Sequence, residues 1–103
     1  MTATSERRQG PRARLALPCM LRPRTSSPIW AETIDVGVGG MSVRAARPLR
    51  ADEMVDFDLA GTPDEHVQGR ATVLRLRAPR AYSLRFEGLP EPMRKRLSQL
   101  VGG

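Results

Sequence analysis

Arginines and one aspartate are the residues whose types and spacing could do chemistry, and that chemistry is binding. Arg7, Arg8 and Arg12 lie close together near the N-terminus, with Arg8 and Arg12 four positions apart. A guanidinium group can hold a phosphate through two hydrogen bonds, meet the O6/N7 edge of guanine, or stack on a base. Asp35 offers the complementary acceptor for the Watson–Crick N–H groups of guanine. Together these side chains could bind both the phosphates and the bases of a guanine nucleotide.

A glycine-rich turn follows Asp35. Gly37, Gly39 and Gly40 stand between two apolar, β-branched runs. Glycine can adopt positive φ and has no side chain to keep a ligand away, so this turn could let a ligand lie close to the backbone. The alternative is a β-hairpin whose glycines only close a bulge.

Candidates for catalysis and metal binding are few. His66 lies between a turn and a strand and is expected at the surface, whereas Cys19 lies in an apolar run and is expected to be buried. Ser42 and Ser83 have no evident partner base, and no set of cysteines and histidines has metal-ligand spacing. We therefore predict a binding protein that is not an enzyme, without catalytic residues, metal or cofactor.

The positive charge is concentrated at one end of the chain. The 103 residues carry a net charge of +6, and residues 1–24 account for +5 of it, which favours an anionic partner. A surface for single-stranded nucleic acid would also need stacking aromatics. Of the few aromatic residues only Trp30 could serve, and we expect it to be packed. No specific nucleic-acid partner is therefore predicted.

Targeting features are missing from the sequence. No apolar run approaches the ~18 residues of a membrane span, and the N-terminus has no apolar signal-peptide region. The lone Cys19 cannot form an internal disulfide, as is usual in a reducing compartment. We expect a single cytoplasmic domain without membrane insertion.

Alternating apolar residues predict six strands, and a helical stripe follows them. Pro90 and Pro92 fit the first turn of a helix at about 91–101. Six short strands followed by one helix are typical of an all-β fold, here a small six-stranded antiparallel (split) β-barrel with one C-terminal α-helix. The interior of so small a barrel is filled, so a ligand must bind outside or at the rim. The predicted strands span about 13–22, 30–36, 41–45, 54–59, 67–76 and 82–86.

Two details of the strands and one domain boundary are also predicted. Trp30, Ile34 and Val36 are expected to share one face of the second strand, and a change of alternation near 73–74 indicates a bulge. Residues 1–12 are expected to form a flexible basic arm, since a glycine–proline pair blocks a helix there. Residues 13–103 would form the barrel domain.

The order and spacing of the two motifs resemble those of the PilZ family of bacterial cyclic di-GMP receptors. Arg8 and Arg12 fit Arg-x-x-x-Arg, and Asp35 and Gly40 fit two of the three positions of Asp/Asn-x-Ser-x-x-Gly. The resemblance covers nearly the whole chain. It implies that Arg8 and Arg12, assisted by Arg7, bind phosphates and guanine edges. It also implies that Asp35 contacts a guanine and that Gly40 lets the ligand lie against the turn.

Gly37 stands where the family has its serine, which removes a hydroxyl donor from the implied site. A hydrogen bond to a charged group is worth ~1.5–3 kcal/mol, or ~10–100-fold in affinity. The resemblance implies a receptor for cyclic di-GMP that acts through an unidentified protein partner, with motility among the possible outputs. The alternative is a PilZ-like domain that does not bind the dinucleotide and acts by protein contacts, as some type IV pilus relatives do. Whether one dinucleotide or a stacked pair binds, and the oligomeric state, stay open.

Overall fold

The computed structural model describes residues 12–60 and 66–102, and most of them lie in strands. A closed antiparallel barrel and a single helix account for the regular structure of these residues. In chain order the elements are β1 (Arg12–Ala13), β2 (Pro18–Pro23), β3 (Ile29–Gly37), β4 (Gly40–Ala45), β5 (Met54–Ala60), β6 (His66–Ala78), β7 (Ala81–Glu87) and α1 (Glu91–Leu100).

Six of the strands close the barrel. Their order is β3-β2-β5-β6-β7-β4, and β4 pairs back with β3, while the two-residue β1 adds to the open end of β3. All of these pairs are antiparallel. The predicted all-β fold, a six-stranded antiparallel barrel with one C-terminal helix, is confirmed.

Aliphatic side chains fill the barrel. On β5 the alternation predicted from the sequence holds, because Val55, Phe57 and Leu59 are buried while Asp56 faces solvent. The ring of Phe57 packs against that of Phe86, with 5.0 Å between the centroids. The fully buried side chains include Cys19, Leu21, Val36, Met41, Val43, Val67, Val73 and Leu97.

A bulge in β3 changes which side chains face the core. The register of β3 against β4 shifts between Thr33 and Asp35. Thr33 is therefore buried, and so is Val36 three positions later. The prediction that Trp30, Ile34 and Val36 share one face is wrong, because the extra residue reverses the alternation in mid-strand.

Trp30 lies on the outer surface of the barrel. Its side chain is 61% exposed, whereas that of Ile29 is 3% exposed. Consecutive strand residues point to opposite faces, so only one of the two can enter the core. The expectation that Trp30 is packed is wrong, since Ile29 takes the interior position.

The first predicted strand is divided into two. Arg12 and Ala13 pair with Gly37 and Val36, and the next strand begins only at Pro18. Proline is tolerated as the first residue of a strand. The predicted boundary between arm and barrel thus falls within β1, because Arg12 is itself paired with the barrel.

The predicted bulge in the long strand β6 is confirmed. Its register against β7 shifts between Val73 and Arg75 and again between Leu76 and Ala78. Leu74, the residue that the first shift leaves without a partner, is exposed to solvent.

The C-terminal helix packs on β6. It begins after Pro90, whose backbone is extended, with Pro92 in its first turn. Leu97 is fully buried, and the guanidinium of Arg96 donates to the carbonyl of His66 at 2.8 Å. The predicted helix is confirmed with an end one residue earlier. No helix in residues 12–60 and 66–102 has the length and apolarity to cross a bilayer.

Candidate functional site

The two sequence motifs meet on the outer face of β3. Nη2 of Arg12 lies 2.5 Å from Oδ1 of Asp35, and Nε of the same arginine donates to that oxygen at 3.2 Å. The two residues are 23 positions apart in sequence. The backbone pairing of Arg12 with Gly37 explains the contact, because Gly37 and Asp35 lie on the same face of β3.

Asp35 owes its outward orientation to the bulge in β3. With Thr33 and Val36 in the core, the residue between the bulge and Val36 must face outward. The side chains of Arg12 and Asp35 are 30% and 22% exposed, so both are partly accessible to a ligand. Oδ2 of Asp35 accepts no hydrogen bond within the described residues.

Thr33 holds the segment that leads from β1 to β2. Its hydroxyl accepts the N–H of Leu17 at 2.8 Å and donates to the carbonyl of Leu15. Its own N–H donates to the carbonyl of Leu17 at 2.9 Å. A buried threonine thereby fixes the backbone next to Arg12. The alternation of the sequence assigned Thr33 to the other face of the strand, so this role was missed.

The glycine turn joins β3 to β4 as a hairpin. Among the described glycines, only Gly88 and Gly102 adopt positive φ, so this turn does not use the positive φ that glycine permits. The turn needs glycine for a different reason. A Cβ on Gly40 would lie 2.3 Å from the carbonyl oxygen of Leu84, so glycine at this position lets β4 approach β7 closely.

A polar row continues from Asp35 across the outside of the barrel. Asp35 pairs with Ser42 on β4, and Ser42 pairs with Ser83 on β7. The Oγ of Ser42 accepts a hydrogen bond of 2.9 Å from Nη1 of Arg77. Beside this row is a pocket of about 340 Å³. It is lined by Arg12, Met41, Ser42, Leu74, Arg77, Ser83 and Leu84.

The position of Ser42, Ser83 and Arg77 beside the site was not predicted from the sequence. The two serines were considered only as nucleophiles, and Arg77 was not singled out. Residues 37 and 40 were placed at the site, and Gly37 does pair with Arg12. Arg7 and Arg8, the other predicted phosphate ligands, lie outside the described residues.

Cys19 and His66, the cysteine and the histidine of the chain, lie outside this site. Burial, and then the negative charge of Asp58, raise the pKa of Cys19 to about 12, so the thiol stays protonated at neutral pH. Nδ1 of His66 lies 2.8 Å from Oδ1 of Asp58 on the neighbouring strand. Within residues 12–60 and 66–102, no three His, Cys, Asp or Glu side chains gather as metal ligands would.

The fold is that of a small β-barrel domain with one helix, and the sequence identifies its family. The PilZ domain family matches residues 6–103, nearly the whole chain. The chain therefore belongs to the PilZ family, a family of cyclic di-GMP receptors and effector domains. No curated protein matches the chain in sequence.

Solved PilZ structures share this fold at low sequence identity. The PilZ domain of CeSA from a cellulose-synthesizing bacterium has 16% identity and a TM-score of 0.71, covering 89% of this chain and 95% of that one. MotI/DgrA, the Bacillus subtilis inhibitor of motility, has 15% identity and a TM-score of 0.73, covering 88% of this chain and 47% of that one. The PilZ domain of YcgR from Escherichia coli, solved with c-di-GMP, has 14% identity and a TM-score of 0.71, covering 87% and 85%.

Proposed function

We propose that this chain is a cyclic di-GMP receptor that binds the dinucleotide on the outer face of the barrel and signals through a protein partner. The observation that carries the proposal is the contact between Arg12 and Asp35. In this contact Arg12, the last residue of Arg-x-x-x-Arg, binds Asp35, the first residue of the second family motif. A guanidinium that could bind a phosphate and a carboxylate that could bind a guanine thus lie side by side.

Each residue of the site has a distinct role in this proposal. Arg12 and Arg8 bind phosphates and guanine edges, and Arg7 assists them. Asp35 accepts hydrogen bonds from the N–H groups of a guanine. Gly37 and Gly40 leave room for the ligand beside the turn.

The ion pair between Arg12 and Asp35 has to open or rearrange when the dinucleotide binds. Partly exposed ion pairs contribute ~0–1 kcal/mol, because water and salt screen them. A charge-assisted hydrogen bond to a phosphate contributes ~1.5–3 kcal/mol, and an arginine can make two. The free energy gained from hydrogen bonds to the ligand is therefore larger than the free energy lost when the ion pair opens. In the free protein each charge keeps its partner's side chain in place.

The test is calorimetric titration of the full chain with cyclic di-GMP. We expect saturable binding in the parent and loss of most of it in Arg8→Ala, Arg12→Ala and Asp35→Ala. Arg44→Ala is a matched control, since Arg44 is an exposed arginine on β4 that pairs across from Glu32. Absence of heat in the parent at millimolar nucleotide would contradict the receptor assignment.

One observation favours a second candidate function. Gly37 removes the hydroxyl of the family motif, so the chain could have lost the dinucleotide and act through protein contacts alone. The same titration separates the two candidates. Binding that depends on Arg12 and Asp35 supports the receptor, and a parent that binds nothing supports the protein-contact domain.

A further inference from the structure

Arg77 is a charged side chain beside the proposed site to which neither family motif assigns a role. It lies on β6, whose register against β7 shifts twice between Val73 and Ala78. Bulges of this kind re-aim the side chains near them. Arg77 extends across β7 and donates from Nη1 to Oγ of Ser42 on β4. The hydrogen bond holds the guanidinium on the outer face of the barrel, beside Ser42.

The charge of Arg77 is not neutralised within residues 12–60 and 66–102. Four arginines there pair with carboxylates, namely Arg12, Arg70, Arg85 and Arg94, and Arg77 is among those that do not. For Arg77 the described residues provide one partner, the neutral hydroxyl of Ser42. A guanidinium has five N–H donors, so most of its donor capacity is available to a ligand.

A pocket connects Arg77 to the proposed site. Arg12 and Arg77 both line the cavity of about 340 Å³ described above, and Leu74 contributes an apolar wall. Ligand pockets typically range from about 300 to 1,000 Å³. Two guanidinium groups in one pocket suit a ligand with two phosphates, and the side chain of Leu74 suits the face of a base.

We propose that Arg77 binds a phosphate of the cyclic dinucleotide and that Ser42 is the positioning residue that orients it. The inference rests on the proposed function and adds a binding residue from β6 to it. Arg77 supplies side-chain donors to a site where Gly37 offers none. Ser42 is buried, so it acts through Arg77 and does not contact the ligand.

The test compares the dinucleotide affinities of the parent and of variants by calorimetry. Arg77→Ala should weaken binding by ~10–100-fold, the effect of losing a hydrogen bond to a charged group. Arg77→Lys should recover part of the affinity, because the charge remains and the planar fork is lost. Arg70→Ala is the matched control, since Arg70 is an exposed arginine of the same strand that pairs with Asp56 on β5 and does not line the pocket. It should bind like the parent.

The positioning role of Ser42 is tested by a double-mutant cycle. Ser42→Ala should weaken binding about fivefold in the parent, the value of an ordinary hydrogen bond. In the Arg77→Ala background the same change should have no further effect, because the side chain it positions is gone. Equal losses in both backgrounds would overturn the positioning role.

The outcomes separate this inference from the function beneath it. If the parent binds and Arg77→Ala binds equally well, or if Arg70→Ala loses as much, the role of Arg77 is overturned and the receptor stands. If the parent does not bind, both are overturned. Should Arg77→Ala fail to fold, the Nε–Hε resonance of Arg77 in the parent decides. It must shift on saturation with the dinucleotide.

Discussion

Arg12 and Asp35 each have a partner before any ligand arrives. Their ion pair keeps a guanidinium and a carboxylate together, and the two side chains are 30% and 22% exposed. Such a pair orders both side chains at little net gain in stability, since its Coulomb energy is largely offset by screening and side-chain entropy. Its value is geometric, because a ligand meets two side chains that are already near their binding positions.

Gly37→Ser is predicted to strengthen dinucleotide binding. Position 37 lies on the outer face of β3 with Asp35 and beside Arg12, so a serine there would point its hydroxyl toward the ligand. One recovered hydrogen bond to a charged group corresponds to a gain of about tenfold or more. Calorimetric titration of the variant and the parent measures the gain.

Gly39→Ser is the control for that comparison. It adds the same hydroxyl to the same turn, at a position with open space around its Cβ where the motif specifies no residue. Its affinity should equal that of the parent. Weaker binding by Gly37→Ser than by the parent would show that the missing hydroxyl is not what limits affinity.

At the scale of elements, the site depends on how β1 and the segment after it are attached to β3. The buried side chain of Thr33 attaches this segment to β3, because its hydroxyl is hydrogen-bonded to the backbone of Leu15 and Leu17. The bulge that buries Thr33 also turns Asp35 outward. One local irregularity therefore serves both the anchor and the site.

Thr33→Val is predicted to lower the free energy of unfolding by ~1–3 kcal/mol. Valine has the same shape but leaves the N–H of Leu17 without its side-chain acceptor and the carbonyl of Leu15 without its donor. Urea unfolding followed by circular dichroism measures the loss. Thr33→Ser, which keeps the hydroxyl, should recover most of it, and equal stability of the valine variant and the parent would argue against the anchor.

Gly40→Ala is predicted to destabilise the barrel. Its methyl group would meet the carbonyl oxygen of Leu84 at 2.3 Å, so β4 and β7 must separate, and such overpacking costs ~1–3 kcal/mol. Gly39→Ala should be close to neutral, because no atom lies within 4 Å of its added Cβ. Thermal unfolding of the two variants gives the comparison. A Gly40→Ala protein as stable as the parent would show that β4 and β7 can separate at little cost in free energy.

At the scale of the whole molecule, the filled interior leaves only the outside for a ligand. The core side chains close the barrel, and the pocket beside Arg12 opens on its outer surface. Signalling in the proposed function therefore depends on a change in surface. The arginine-rich segment 1–12 would close over the dinucleotide and present a new surface to the partner protein.

Saturation with cyclic di-GMP is predicted to slow amide exchange across residues 5–14. Contacts from Arg8 and Arg12 to the ligand would protect the backbone of this segment by ordering it against β3. Hydrogen–deuterium exchange read by mass spectrometry reports the change, with the core strand β5 as an internal control that should not respond. Unchanged exchange in residues 5–14 at saturation would contradict closure of the segment.

Local patterns in the sequence determined the fold class and are the basis on which the site residues are predicted. Alternating residues such as Val55, Phe57 and Leu59 defined a half-buried strand, and Pro90 and Pro92 marked the start of the helix. These signals are strong because side-chain periodicity and proline geometry act within a few residues. The charged motifs were equally visible, since their spacing needs no tertiary contact to be recognised.

Tertiary structure alone decided which residues of β3 enter the core, why Gly40 is glycine, and that Arg77 reaches Ser42. The two-residue periodicity cannot show a bulge in a single strand, because a bulge is defined only against the partner strand. The close approach at Gly40 and the reach of Arg77 likewise depend on strands distant in sequence. Closure of the barrel brings those strands together, and it makes one site of groups that the chain places far apart.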